Sequence, residues 1–190
     1  MTKLTINNIY SKLVAMPKSR ITMPYSKKKL VPKHNHYLKL NFKIFRSPKA
    51  QPFPFYNIVE DSIHLPDSRN FKSVDTYYQA AFHELIHSTG SKLDRQVLPM
   101  VAGQSDELDM VLAYHYEEIV AEIGSMLLCE YYGVGYNFDF SLKYINHYRK
   151  RGFEAMGLDF SLPYSEMRDA FDEAQLAAQY VIDKNMIRRK

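Results

Sequence analysis

The stretch AAFHELIHSTG, residues 80–90, decides how the rest of this 190-residue chain is read. Two histidines, His83 and His87, stand four apart, with Glu84 beside the first and apolar residues on either side. On an α-helix, residues four apart lie one above the other, so both imidazoles project from one face and can converge on a single ion. Neutral imidazole is a preferred zinc ligand, and a catalytic zinc keeps three protein ligands plus a water whose pKa falls to about 7. A carboxylate next to the first histidine is placed to take that water's proton, which makes Glu84 the candidate general base of an H-E-x-x-H motif. With 7 histidines in the chain, shuffling produces such a motif about once in seventy-five sequences, so a third ligand has to be found.

One arrangement puts that ligand three residues past a glycine, as H-E-x-x-H-x-x-G-x-x-H. Gly90 is in register, but the ligand position is Leu93 and Asp94 comes one residue late, so this variant is excluded. The other arrangement draws a glutamate from a second helix. In YHYEEIVAEIGSMLLC, residues 114–129, Glu118 and Glu122 lie four apart beside an apolar stripe. Buried carboxylates are costly unless paired or metal-bound, which calls for a cation or a histidine opposite them. Glu118 is assigned as third ligand, and Glu122 as acceptor of an imidazole N–H, the contact that fixes tautomer and ring orientation. The competing reading leaves Glu117, Glu118 and Glu122 together on a solvated face. His115, one turn before Glu118, is the one further histidine that could ligate; His34, His36 and His64 have no informative spacing. Hydrolysis also needs a donor for the oxyanion, and Tyr144, His147, Tyr148, Arg95 and His115 qualify by residue type.

Around this centre the pattern changes from strands to helices. YLKLNFKIF, residues 37–45, alternates apolar and polar residues as a half-buried strand does, and FYNIV and SIHLP follow across a turn at Glu60 and Asp61. From Ser73, a plausible cap, a helix is expected to run to a stop at Gly90, and a second from about 106 to 132 with a stop at Gly133. Tyr116, Ile119, Val120, Ile123, Met126 and Leu127 form the apolar stripe of the second. Two more helices are expected over 141–151 and 163–183, the latter burying Met167, Phe171, Ala174, Ala178 and Val181. Strands first and helices afterwards predict an α+β class.

Composition bounds the rest. At 46% hydrophobic residues the chain can bury a sizeable core, and no run is long and apolar enough for a membrane span. The one cysteine, Cys129, sits in an apolar run and is expected to be a buried thiol in a reducing, cytoplasmic setting. Residues 1–59 carry 12 Lys and Arg and no acidic residue, whereas residues 60–190 carry 13 basic and 21 acidic residues, a net of −8. Residues 1–36 therefore read as a basic N-terminal arm, with a short helix over 5–16, ahead of one domain at 37–190. Lys27, Lys28, Lys29 and Lys33 of the arm could contact nucleic acid or the chain's own acidic body.

PFYNIVEDSIHLP, YYQAAFHELIHSTGSKLDR and YEEIVAEIGSMLLC, followed by YINHY and the C-terminal helix, together resemble the zincin-like metallopeptidase domain of ArdC-type antirestriction proteins, found in polyvalent proteins of plasmids and phages. The resemblance covers roughly residues 53–183. It implies a small twisted sheet packed on the H-E-x-x-H helix and on a second ligand-bearing helix. It also implies zinc held by His83, His87 and Glu118, with Glu84 as base. The glutamate pair is similar in spacing to the E-x-x-x-D of thermolysin-like gluzincins. The family often has an aromatic residue and a further histidine where this chain has Ser88 and Ser91, which predicts a more open and polar cleft wall. The single-strand-DNA-binding domain of full-length ArdC-type proteins is not recognisable in residues 1–52.

Three functional readings result. The first is a zinc metallopeptidase acting on a protein or peptide substrate, with an antirestriction-type role in a mobile element. The second is a DNA-associated antirestriction protein whose metal site is structural or vestigial. The third is an α+β module whose histidines are core residues.

Overall fold

Strand β3, Ser62–Pro66, is flanked by β1, Lys43–Ser47, and β2, Phe55–Asn57, in the order β1-β3-β2. The computed structural model describes residues 43–47, 53–95, 107–157 and 165–186. β1 runs parallel to β3, and β2 pairs antiparallel with it, Tyr56 opposite Ile63. The turn between β2 and β3 is set by Asn57, whose side-chain oxygen accepts from the N–H groups of Val59 and Glu60. Asp61 completes it at φ 45°, a left-handed conformation that aspartate tolerates. As the central strand, β3 buries Ile63 and Leu65 against the helices. The strand expected over 37–45 ends in β1, which runs on to Ser47; its residues 37–42, the helix expected over 5–16 and the basic arm with Lys27, Lys28, Lys29 and Lys33 lie outside the described residues.

Helix α1, Val74–His87, begins at a capping box in which the Ser73 hydroxyl accepts from the Thr76 N–H and Thr76 reciprocates. Asp75 in the first turn complements the helix dipole. Its end differs from expectation: the chain leaves the helix at His87, turns through Ser88 and Thr89, and winds into a 3-10 turn at Gly90–Lys92. The hydroxyls of Ser88 and Thr89 donate to the carbonyls of Leu85 and Ile86, so no left-handed glycine is needed there.

Helix α2, Glu107–Tyr132, stops as expected at Gly133, with φ 71° and the Val134 N–H returning to the Cys129 carbonyl at 2.9 Å. It is more central than an apolar stripe implies. From Glu117 to Cys129 every residue is buried, because α1, α3 (Phe138–Ala155) and α4 (Ser165–Met186) all pack around it. Helix α3 starts three residues earlier than expected because Asn137 caps it, its side-chain oxygen accepting from Phe140 N–H. In α4, Met167, Phe171, Ala174, Ala178 and Val181 are all buried, and Cys129 is buried in the same core. The architecture is α+β, with a small sheet against four helices among the described residues. No helix among the described residues is long and apolar enough to cross a membrane.

Candidate metal centre

α1 and α2 meet closely at Gly124, where an added Cβ would lie 2.7 Å from Ile86 side-chain atoms. That approach brings the polar faces of the two helices within reach of each other. His83 and His87 point from α1 towards Glu118 of α2, and one ligand atom from each of the three lies within 4.8 Å of the others. The His83 Nε2 and His87 Nε2 atoms are 3.1 Å apart. Glu118 Oε2 is 3.3 Å from His83 Nε2, and its Oε1 is 3.8 Å from His87 Nε2. Ligand atoms at about 2.0–2.1 Å in a tetrahedral arrangement would stand about 3.3 Å apart, so these spacings fit one zinc-sized ion.

The other ring nitrogens face carboxylates. His83 Nδ1 is 3.0 Å from Glu122 Oε2, and Glu122 is held in turn by Gln79, which donates to its Oε1 at 3.1 Å. The Gln79 amide also reaches the buried Ser141 hydroxyl of α3 at 3.0 Å. His87 Nδ1 is 3.2 Å from Glu117 Oε1. A proton on each Nδ1 satisfies both contacts and leaves both Nε2 lone pairs directed at Glu118 and the space between them, the tautomer a metal ligand requires.

Glu117 is the partner that sequence reading misses. It appears there only as one of three solvated glutamates, yet it is buried and gripped by Arg95, whose Nε and Nη2 donate to its two oxygens at 3.1 and 2.8 Å. The available signal was a Glu-Glu pair inside a helix whose following residues to Cys129 are, apart from Glu122, all apolar or small, which leaves little room for a solvated face. The solvated-face reading is corrected for all three: Glu117, Glu118 and Glu122 are buried.

Electrostatics follow from this crowding. Burial pulls the His83 imidazole down, but hydrogen bonds to Glu118 and Glu122 and the charge of Glu84 reverse the effect and hold it well above its ordinary value. Burial would raise the Glu118 carboxyl, yet the His83 hydrogen bond, the charges of His87 and His83 and the Tyr144 hydroxyl bring it down to about 2. Glu117 and Glu122 are likewise lowered against their burial, by His87 and Arg95 and by His83 respectively. Four buried carboxylates, at Glu84, Glu117, Glu118 and Glu122, surround the histidines with one guanidinium, Arg95, among them. That surplus of negative charge suits a divalent cation.

A cleft of about 560 Å3 opens onto the three ligand atoms, with Glu84 in its wall beside His83. β2 and its approach, Phe53 to Tyr56, line one side, and Tyr114, Tyr144 and Tyr148 line the helical side. The wall is therefore aromatic. This corrects the expectation of a polar one: Ser88 is buried with its hydroxyl turned onto the Leu85 carbonyl, and neither it nor Ser91 lines the cleft. Of the candidate oxyanion donors, Tyr144 and Tyr148 stand in the cleft, and the Tyr144 hydroxyl donates to Glu118 Oε2 at 2.5 Å. Arg95 lies behind Glu117, His147 is exposed with its ring against Tyr148, and His115 packs beside Tyr114 and Tyr148 outside the three-ligand group. His64 stacks on Phe55 with ring centroids 4.6 Å apart.

Comparison with known proteins places these features in context. The profile of a family described as zincin-like metallopeptidase matches residues 31–151. The solved antirestriction protein ArdC from plasmid R388, in its Mn(II)-bound form, is 30% identical with a TM-score of 0.54, over 76% of this chain and 48% of that one. Its metal-free form matches at 31% identity and the same TM-score, covering 76% of this chain and 47% of its own. A DNA primase TraC of Escherichia coli is 42% identical over 85 residues, which is 44% of this chain and 7% of TraC. This chain thus spans about half the length of ArdC and a small part of TraC.

Proposed function

The chain belongs to the zincin-like metallopeptidase family, and on that premise we propose that it is a zinc-dependent metallopeptidase hydrolysing peptide bonds, serving an antirestriction-type role in a plasmid, phage or other mobile element. The observation that carries this reading is the convergence of His83, His87 and Glu118 on one point of the cleft that Glu84 also lines. His83 Nε2, His87 Nε2 and a Glu118 oxygen would hold the metal, and Glu122 would keep the His83 ring in its ligating tautomer through Nδ1. The ion, when bound, supplies Lewis acidity, bringing a water's pKa towards about 7 and polarising the carbonyl under attack.

Within this scheme Glu84 accepts the proton of the attacking water and returns it to the leaving amine. Tyr144 is the preferred oxyanion donor, its one O–H exchanging the Glu118 oxygen it meets here for the developing oxyanion. Burial, then the negative charge of Glu118, raise its phenol far above the ordinary value, so the O–H keeps its proton at neutral pH. Among the described residues β2 lies at one edge of the sheet and pairs only with β3, so an extended substrate can add to it as a further strand while its side chains meet the tyrosines opposite. The two-histidine, one-carboxylate donor set suits zinc, and manganese is the competitor to test.

Glu84→Gln tests the reading. The variant is expected to retain about one zinc per chain while losing turnover of a peptide library scored by mass spectrometry. Wild-type turnover in the variant would contradict it.

The names of the relatives, an antirestriction protein and a DNA primase, favour one second reading: a DNA-associated protein working through Lys27, Lys28, Lys29 and Lys33. Affinity for single-stranded DNA that falls steeply with salt and is lost on deleting residues 1–36, with Glu84→Gln indifferent in cells, would establish it.

A further inference from the structure

We infer that Arg95 and Glu117 form a positioning relay that fixes the His87 ring and makes Glu118, rather than its neighbour, the carboxylate ligand. The inference rests on the metal-site reading above. Two adjacent glutamates, Glu117 and Glu118, line the same cleft beside the same pair of histidines, so the sequence offers the ion two possible oxygen ligands. Their surroundings divide the roles. Glu117 Oε1 is shared between His87 Nδ1 at 3.2 Å and Arg95 Nη2 at 2.8 Å, while Oε2 takes the Arg95 Nε at 3.1 Å. Both oxygens are engaged in a planar fork, and the carboxylate is not available to swing towards the Nε2 atoms. Glu118 has no such clamp and meets His83, His87 and the Tyr144 hydroxyl instead.

The relay is anchored at its far end as well. Arg95 Nη1 donates to the Thr89 hydroxyl at 2.8 Å, and Nη2 donates to the Ile86 carbonyl at 2.9 Å, one of the last carbonyls of α1. Thus the guanidinium ties the end of the helix carrying His87 to the carboxylate behind His87, and the Arg95 and Glu117 side chains are each only 5% exposed. A buried ion pair of this kind is weak support for stability by itself, since apolar residues of similar volume often replace one without loss. Holding a ligand ring in one orientation is a task that apolar residues cannot perform. On the other histidine, Glu122 and Gln79 make the equivalent contact without a cation. Among the described residues, the cation stands behind the histidine whose carboxylate neighbours the proposed ligand Glu118.

The test is zinc affinity by chelator competition on the full chain, together with 15N spectra of the histidine rings. Removing a carboxylate behind a ligating histidine typically costs 10–100-fold in metal affinity. Glu117→Gln is therefore expected to weaken zinc binding by about that factor and to alter the His87 ring signals while leaving those of His83 in place. Arg95→Lys keeps the charge but loses the fork, and it is expected to weaken binding by about tenfold; it decides the question should Glu117→Gln not fold. Zinc affinity within threefold of wild type in both variants overturns the relay while leaving the metal site standing. A wild-type chain that binds no zinc overturns the metal-site reading and the relay with it.

Discussion

Gly124 of α2 sits so close to Ile86 of α1 that a Cβ on the glycine would fall 2.7 Å from both Cγ1 and Cδ1 of the isoleucine and 3.1 Å from Cγ2. Ile86 precedes the proposed ligand His87, and Gly124 lies two residues beyond Glu122, so this contact sets the separation of the two helices at the candidate metal centre. A β-branched side chain confined in a helix has little rotamer freedom with which to yield. Gly124→Ala is expected to cost about 1–3 kcal/mol by overpacking, read as a lower urea midpoint. The double variant with Ile86→Val should recover part of that loss, and additivity of the two costs would show that the contact does not govern the spacing.

The Tyr144 hydroxyl reaches Glu118, and its elevated pKa keeps it a donor. Tyr144→Phe should retain zinc stoichiometry and lower kcat by about 10²–10³, the usual loss for one oxyanion donor. An unchanged kcat would move that role to Tyr148, the other cleft tyrosine of α3.

The pH dependence of the metal-free protein follows from His83 and Glu118. His83 is raised above its ordinary 6.5, so its contribution to stability is fully present below 6.5 and is lost as pH rises through the folded value. Glu118 is lowered from 4.5 to about 2, so its contribution is present above 4.5 and is lost as pH falls towards 2. The melting temperature without metal should therefore be highest between about 4.5 and 6.5 and decline on both sides. Zinc should remove the alkaline decline, because the ion takes the place of the proton on His83. A metal-free melting temperature that climbs from pH 6.5 to 9 would show that the carboxylates do not hold the His83 proton.

The parts of the fold legible in the sequence are those encoded by local spacing. The period of α4 marks its buried residues, Gly133 ends α2 in the conformation that glycine favours, and four-residue spacing puts His83 and His87 on one face. The long-range contacts are not encoded in this way. Arg95 and Glu117 are 22 residues apart, with nothing in either neighbourhood to pair them, and the burial of Glu117 depends on three helices packing around α2. Gly90 misleads because the hydroxyls of Ser88 and Thr89 satisfy the helix end that a left-handed glycine would otherwise serve. Ser88 misleads similarly: its hydroxyl has a local carbonyl to bind and so contributes nothing to the cleft wall.

The carboxylate pairing of His83 yields a further expectation. Glu122→Gln leaves an amide that can still accept from Nδ1 but carries no charge, and it should weaken zinc binding by about tenfold or more with little change in fold. Gln79→Ala, which removes the donor to Glu122 and the contact to Ser141 but keeps the Glu122 charge, should produce a smaller loss in the same competition assay. A larger loss for Gln79→Ala than for Glu122→Gln would reverse that order of dependence.

Anomalous-difference density from crystals of the zinc-loaded chain, collected on both sides of the zinc edge, addresses the metal centre directly. One peak per chain is expected within bonding distance of His83 Nε2, His87 Nε2 and a Glu118 oxygen. No peak there, or a peak bound by Glu117 in place of Glu118, would contradict the site as described.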